Sequence, residues 1–354
     1  MEALHANPPA VKQRNAGIDL LRVIAVYYVI VLHIIGQGGL INAVDEGTFQ
    51  YFACIGLLCW SMCAVNIFGM ISGYVGYTDE EKPQNYKSYL FLWLEVAFYD
   101  IVLTLLTLWL RPGTAQSIDL IQMFLPVLSG GHWYFTAYTG LFLFIPLINT
   151  AVRHCSDKML IQLLVGIVFV LSPVETLFGS YLWFDGYSFV WLMLLYLIGA
   201  ILKKTQLGSR IHPLAAFAGI AALFLCTFLI DKRWIQVNVC GFLFNTQMAE
   251  KYVCPLHLLS AILYIILFSK LKPGPMARKL IAFAAPGAFS VYVINTQRHV
   301  WNGYMKDHFM SWAGSSPIGI SVRVLLTAAV FVAVSLVVDY FRRLLFRGFR
   351  KRKA

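Results

Sequence analysis

Charged residues are scarce in this chain, at 13% of 354 residues against about 25% in a typical soluble protein. The sequence also lacks the short alternating segments that would form a transmembrane β-barrel. The seven cysteines show no metal-ligand spacing, and Cys54, Cys59 and Cys63 fall in one apolar run, as packing residues do. These absences exclude a soluble enzyme, a barrel and a cysteine-bound metal centre.

Long apolar runs are what the sequence has instead. Hydrophobic residues make up 59% of the chain, the mean hydropathy is +0.70, and apolar runs of about 20 residues recur. The sequence therefore predicts an all-α, polytopic integral membrane protein with about ten transmembrane helices. The predicted spans cover residues 17–37, 52–77, 88–110, 132–151, 158–173, 187–202, 212–231, 252–270, 279–297 and 318–341. Pro286 and Gly287 are expected to interrupt the span 279–297.

The positive charge is distributed in a way that predicts the orientation. The net charge is +11, and most Lys and Arg residues fall in alternate connecting segments and in the tail RRLLFRGFRKRKA. With the N-terminus inside, those segments are cytoplasmic, as the positive-inside rule requires, and an even number of spans makes both termini cytoplasmic. Such juxtamembrane charge favours contact with a lipid bilayer and no nucleic acid partner. The predicted location is the cell inner (plasma) membrane, crossed many times.

The chain is predicted to form one membrane domain. Residues 1–16 form a cytoplasmic N-terminal tail, residues 17–341 the transmembrane domain, and residues 342–354 a basic cytoplasmic C-terminal tail. No internal repeat, low-complexity segment or long linker divides it. No small-residue cleavage site follows the first apolar run, so this run is expected to remain as a span.

Three ionisable residues in the first span point to function, because charges within a membrane are costly. Asp19 and Arg22 are three residues apart and are neighbours on a helix face. Arg22 and His33 share nearly the same azimuth and are about 16 Å apart along the axis. Asp19 is expected to orient Arg22 or to cap the helix. His33 is expected in the outer half of the membrane. It is either a functional imidazole or a histidine that only packs against a neighbouring helix.

Other polar residues are expected at defined depths. Glu95 enters from the cytoplasmic side and is a predicted partner of Arg22 across the bundle. His132 and Asn295 lie towards the outer face, whereas Ser72 and Gly73 are expected to allow close helix approach.

Four motifs together resemble the acyltransferase-3 family of membrane O-acyltransferases. Arg22 is followed by His33 with ten residues between them, and the segments FGMISGY from Phe68, HWYF from His132 and SVYVIN from Ser290 follow in order. The resemblance covers about residues 15–300. Within the family, the chain resembles bacterial enzymes that O-acetylate surface polysaccharides. Many relatives have histidine in the penultimate span, where this chain has Asn295.

The resemblance implies transfer of an acetyl (acyl) group from cytoplasmic acetyl-CoA to a hydroxyl of an extracytoplasmic glycan or lipid-linked saccharide. Acetyl-CoA is then a co-substrate, and no tightly bound cofactor or metal is expected. His33 would act as base or acyl relay, since imidazole titrates near neutral pH, and Arg22 would face the donor. The predicted catalytic residues are His33, Arg22 and Asp19, and the predicted substrate-binding residues are Glu95, His132, Trp133, Tyr292, Asn295 and Ser72.

Two other functions fit the same features. A polytopic transporter or flippase for a lipid-linked glycan or polar solute would predict repeat symmetry and paired broken helices, and the sequence shows neither. A structural membrane protein is disfavoured by the cost of keeping Arg22, Glu95 and Asp100 within spans.

Overall fold

The fold is seen in a computed structural model, which describes residues 14–114, 116–179, 184–231, 237–239, 242–244 and 250–351. Most of the described residues are helical, and one antiparallel hairpin is formed by strands β1 (Val237–Val239) and β2 (Phe242–Phe244). In chain order the α-helices are α1 (Ala16–Ile35), α2 (Leu40–Ala43), α3 (Phe49–Ser61), α4 (Ala64–Gly76), α5 (Tyr86–Leu110), α6 (Ser117–Phe124), α7 (Pro126–Ser129), α8 (Trp133–His154), α9 (Asp157–Gly166), α10 (Ser172–Phe178), α11 (Phe189–Thr205), α12 (Pro213–Asp231), α13 (Pro255–Ser269), α14 (Pro275–Ala284), α15 (Ala288–Thr296), α16 (Arg298–Val300) and α17 (Pro317–Lys351).

Short irregular helices join some of these elements. The π-helical turn Ile167–Leu171 carries α9 into α10, and a second one, Trp301–Met305, follows α16. The 3₁₀ turns are Phe184–Gly186, Leu207–Arg210, Ala285–Gly287 and Met310–Gly314.

Eight helical stretches among the described residues are long and apolar enough to cross a membrane. Two shorter helices, α11 with 17 residues and α13 with 15, lie at the other two predicted spans. The all-α, polytopic prediction is therefore confirmed. The predicted span 158–173 is longer than expected, because the π turn extends it to Phe178. The break expected at Pro286 and Gly287 is the 3₁₀ turn between α14 and α15.

One end of the bundle, here called the basic end, carries many of the lysine and arginine residues predicted to be cytoplasmic. Lys204 at the end of α11 donates to three carbonyl oxygens that terminate α8, at 2.6–3.1 Å. At the same end, Asn15 Nδ2 donates to Ser269 O at 2.8 Å, which joins the start of α1 to the end of α13. Arg343 of α17 donates to Phe283 O of α14 at 3.0 Å. The start of α1 and the last turns of α17 thus lie at one end. Of the two predicted tails, residues 1–13 and 352–354 are outside the described residues.

Helices α4 and α11 pack very closely against each other at two glycines. A Cβ atom on Gly73 would lie 1.8 Å from Tyr196 O, and one on Gly199 would lie 2.0 Å from Met70 O. Only glycine fits at both positions, so Gly73 has the close-packing role that the sequence predicts. This contact holds α4 in place as one wall of the cavity described next.

Candidate functional site

His33 lies near the end of α1, at the end of the bundle opposite the basic end, and is partly buried. Its Nδ1 atom is hydrogen-bonded to Asn295 Oδ1 of α15. The indole of Trp301 meets the imidazole edge-on, with ring centroids 4.7 Å apart and an interplanar angle of 85°. Because Nδ1 is engaged by Asn295, Nε2 is the ring nitrogen left to act on another molecule.

A narrow cavity of about 30 Å³ lies beside His33. This volume holds about one or two water molecules, so only a small group fits without movement of the walls. Its lining comes from α1, α4, α8, α15 and the segment before α13. The lining residues are Val29, His33, Val65, Phe68, Trp133, Tyr134, Tyr252, Phe289 and Tyr292. Two of the predicted substrate-binding residues, Trp133 and Tyr292, therefore lie together with His33.

Tyr292 links two walls of this cavity. Its hydroxyl oxygen accepts a hydrogen bond of 3.1 Å from the backbone N–H of Tyr134, in the first turn of α8. First-turn N–H groups have no partner within their own helix, so this bond satisfies one of them. The Tyr292 hydroxyl still has its own proton to donate.

Tyr252 is held in the cavity wall by a network that sequence reasoning missed. Asn66 of α4 donates to Tyr252 O at 2.8 Å, and the Trp191 indole donates to Asn66 Oδ1 at 3.1 Å. Trp133 stacks on the Tyr252 ring, with centroids 6.1 Å apart and an angle of 18°. An amide within the apolar run of α4 was the only signal in the sequence.

Arg22 and Asp19 lie towards the basic end of α1, and their predicted contact is confirmed. Arg22 Nη1 is 3.3 Å from Asp19 Oδ1, and Arg14 Nη2 is 3.1 Å from the same oxygen. One carboxylate therefore faces two guanidinium groups, which leaves a surplus positive charge. Asp19 does not cap the helix, because the side chain of Asn15 accepts from the free N–H groups of the first turn.

The tyrosines of α8 connect the two halves of the site. Tyr134 and Tyr138 lie close enough to Arg22 to interact with it electrostatically. Tyr134 also lines the His33 cavity. Tyr134 and Tyr138 therefore lie in the region of the bundle between Arg22 and the cavity. Ser72 lies beside Tyr134, but its hydroxyl donates to Phe68 O of its own helix at 3.1 Å, and it does not line the cavity.

The predicted partnership of Glu95 with Arg22 is wrong. Glu95 Oε2 is 3.0 Å from Arg342 Nη2, and Glu95 Oε1 is 2.5 Å from Ser290 Oγ. Asp339 joins the same buried cluster, 2.7 Å from Arg342. Glu95 faces α17 because of the way α5 packs against its neighbours. The spacing of residues along the sequence does not specify this packing. Glu95 is therefore a structural ion-pair residue and not part of the cavity.

His132 is fully buried and does not line the cavity, contrary to a direct role in substrate binding. Its Nε2 is 2.9 Å from Asp100 Oδ1, and its Nδ1 is 2.7 Å from Thr296 Oγ1. Both ring nitrogens thus have protein partners. Thr296 is the next residue after Asn295, so the Asp100–His132 pair fixes the end of α15 that holds His33.

Further contacts fix the segment that follows Asn295. Gln297 donates to Thr104 Oγ1 at 3.0 Å, and Asp119 is 2.6 Å from Arg298 Nη1. The chain from α15 into the Trp301 turn is therefore bonded to α5 and α6. Among the described residues, no group of three or more His, Cys, Asp or Glu side chains is arranged to hold a metal ion.

A sequence model of one protein family, described as an acyltransferase domain, matches residues 15–341. The match begins just before α1, ends within α17 and includes every residue that lines the cavity. No curated protein and no solved structure matches the chain.

Proposed function

Because the chain belongs to the acyltransferase-3 family of membrane proteins, we propose that it moves an acetyl group from cytoplasmic acetyl-CoA to a hydroxyl of a glycan or lipid-linked saccharide at the outer face. The observation that carries the proposal is the imidazole of His33, held at Nδ1 by Asn295 and bordering a narrow aromatic cavity. The basic end of the bundle would face the cytoplasm, in line with the distribution of positive charge.

In the proposed reaction His33 is the general base. Nδ1–H donates to Asn295 Oδ1, so Nε2 carries the lone pair that accepts the proton of the acceptor hydroxyl. The hydroxyl oxygen then attacks the thioester carbonyl carbon, and the new C–O bond forms before the C–S bond breaks. The proton on Nε2 passes to the departing sulfur, which leaves as the CoA thiol.

The negative charge that develops on the thioester oxygen needs hydrogen-bond donors. The Tyr292 oxygen accepts from the backbone N–H of Tyr134, so the hydroxyl keeps its proton to donate, and Trp133 has an indole N–H. Both line the cavity beside His33, where little water competes. Such donors commonly account for about 2.7–4 kcal/mol of transition-state stabilisation each.

The donor would approach from the basic end. Arg22 and Arg14 share the single carboxylate of Asp19, so a guanidinium is available for a CoA phosphate. Arg22 and His33 are about 16 Å apart along α1, a span comparable to an extended pantetheine arm. The thioester would then reach His33 along Tyr138 and Tyr134.

The cavity favours acetyl over longer or acidic acyl groups. Its free volume is about 30 Å³, and no lysine or arginine lines it. A succinyl carboxylate there would be buried without a cation, which is strongly unfavourable. Purified protein in lipid vesicles is therefore expected to transfer acetyl from acetyl-CoA at least about tenfold faster than succinyl, since an unpaired buried polar group costs about 1–3 kcal/mol. Butyryl should also be transferred more slowly than acetyl, because its longer chain exceeds the free volume of the cavity.

The measurement follows release of the CoA thiol and labelling of a glycan acceptor with each donor. Equal rates with acetyl-CoA and succinyl-CoA would contradict the size and charge argument. A transporter or flippase would release no CoA thiol from any donor, which separates that function from the one proposed.

Asn295 is expected to act through His33, and two substitutions of similar size test this. Asn295→Leu removes the acceptor for Nδ1–H and is expected to lower the transfer rate about tenfold, since one buried hydrogen bond contributes about 0.5–1.5 kcal/mol. Asn295→Asp keeps an oxygen at this position and should retain more activity than Asn295→Leu. The ratio of the two rates, with the KM for acetyl-CoA unchanged, is the measurement. Equal activity of the two variants would exclude the orienting role.

A further inference from the structure

A second cavity, of about 190 Å³, lies at the His33 end of the bundle between the end of α5 and the residues around α16. Almost all of its lining side chains are polar. They include two guanidinium groups, from Arg111 and Arg298, the imidazole of His299, and hydroxyl and amide groups such as those of Thr107 and Asn302. None of its lining residues carries a carboxylate, so the cavity presents mainly hydrogen-bond donors and positive charge.

The charge in this cavity is not balanced within the described part of the chain. Asp119 lies behind the wall, only 4% exposed, 2.6 Å from Arg298 Nη1 and 3.1 Å from His299 Nε2. Arg111 is exposed, and among the described residues no carboxylate lies within 4.0 Å of it. Its guanidinium is stacked on the ring of Tyr304, 4.6 Å from the centroid. Asp119 thus holds Arg298 in position, and Arg111 supplies the surplus charge.

This set of groups suits an oxyanion. Guanidinium groups bind phosphate or carboxylate through paired, charge-assisted hydrogen bonds, and neighbouring hydroxyl and amide groups complete the coordination. Arg298 already has a fixed orientation, because its second nitrogen is bonded to the side chain of Gln116. The site is therefore largely preorganised for binding an anion.

The cavity shares a wall with the His33 site. Trp301 packs on the His33 imidazole, whereas the next two residues, Asn302 and Gly303, line the second cavity. The two sites are thus on opposite sides of one helical turn, about 10 Å apart. The contacts of Gln297 with Thr104 and of Arg298 with Asp119 keep this wall in place.

We propose that this cavity binds an acidic group, phosphate or carboxylate, of the acceptor, and so presents a nearby sugar hydroxyl to His33. This inference rests on the proposed function for the identity of the bound molecule. The acceptor would then carry its acidic group close to the hydroxyl that receives the acyl group.

Binding of three soluble probes to the purified protein in detergent tests the proposal without any turnover. The probes are glucose 1-phosphate, glucuronate and glucose, which differ in whether they carry a phosphate, a carboxylate or no charge. At low salt, at least one of the two anions is expected to bind at least about tenfold more tightly than glucose, because hydrogen bonds to charged groups contribute about 1.5–3 kcal/mol. The anion that binds better identifies the acidic group as phosphate or carboxylate.

Arg111→Gln is expected to weaken binding of that anion about tenfold and to remove most of its dependence on salt. Lys306→Gln is the matched control, since Lys306 is an exposed cation at the same end of the bundle and does not line the cavity. It should bind the anion as the unaltered protein does. Equal binding of glucose and both anions, absence of anion binding, or unchanged binding by Arg111→Gln would each overturn the proposal.

The two proposals fail in different ways. If the unaltered protein binds no anion selectively but still releases CoA thiol from acetyl-CoA in the presence of an acceptor, the anion site is contradicted and the proposed acyl transfer stands. Conversely, a protein that binds the anion but releases no thiol from any acyl-CoA would retain the anion site and would contradict the proposed acyl transfer.

Discussion

Substitution of His33 by glutamine is expected to lower acyl transfer by about 100-fold to 10,000-fold, the usual contribution of a general base. Glutamine is similar in length and can still donate to Asn295 Oδ1, so the helix contact and the cavity wall should be preserved. It has no nitrogen that accepts a proton near neutral pH, which is why the effect should fall on the rate and not on the KM for acetyl-CoA.

His308→Gln is the control for this experiment. His308 lies at the same end of the bundle, is exposed, and contacts the ring of Phe309 rather than the cavity. Both variants should reach the membrane in equal amounts, with His308→Gln as active as the unaltered protein. A His33→Gln protein that transfers acetyl groups at the normal rate would refute the assignment of His33 as base or relay.

The same variant separates a base from a covalent relay. If His33 carries the acetyl group on Nε2, the protein incubated with labelled acetyl-CoA and no acceptor should retain label on the chain, and His33→Gln should retain none. If His33 is only a base, neither protein is labelled. The Nδ1 contact with Asn295 leaves Nε2 available in both cases.

The second large effect is on stability and concerns Arg342. Its guanidinium lies 3.0 Å from Glu95 and 2.7 Å from Asp339, and its side chain is only 9% exposed. Arg342→Met would leave Glu95 buried with no cation within 4.0 Å in the described part of the chain. Breaking a buried pair in this way costs about 3–5 kcal/mol, so the midpoint of thermal unfolding in detergent should fall markedly.

A double-mutant cycle separates the lost pair from lost packing. Glu95→Gln removes the charge that Arg342→Met leaves unpaired, whereas Asp339 keeps its contact of 2.7 Å with Arg343. The double variant should therefore lose less stability than the two single losses added together, by an interaction energy of about 0.5–3 kcal/mol. Additive losses in the two single variants would show that Glu95 and Arg342 do not stabilise each other.

Much of the fold could be predicted because it depends on local properties of the chain. A run of about 20 apolar residues must form a helix in a membrane, where each backbone N–H and C=O group needs an internal partner. The polytopic helical class and the positions of the apolar helices follow from such runs, and the break between α14 and α15 follows from Pro286. The contact of Asp19 with Arg22 was predictable for the same reason, since residues three apart on one helix are always neighbours.

Contacts between helices could not be predicted in this way. The sequence placed Glu95 within an apolar span, but its partner is Arg342 and not Arg22, because the rotation of α5 against its neighbours is set by the packing of the whole bundle. The burial of His132 between Asp100 and Thr296 has the same origin. The sequence indicated polar residues near the outer face, and packing decided which of them border a cavity.

The sequence by itself thus determined the membrane-spanning helical class, the likeness to a family, and the placement of Arg22 and His33 on one helix face. Only the tertiary structure decided what surrounds His33. Asn295, where the family resemblance is weakest, brings its side-chain oxygen to the Nδ1 atom of His33 across 262 positions of sequence separation. Such a contact depends on how two rigid helices are rotated and packed against each other, and no local pattern of residues specifies that.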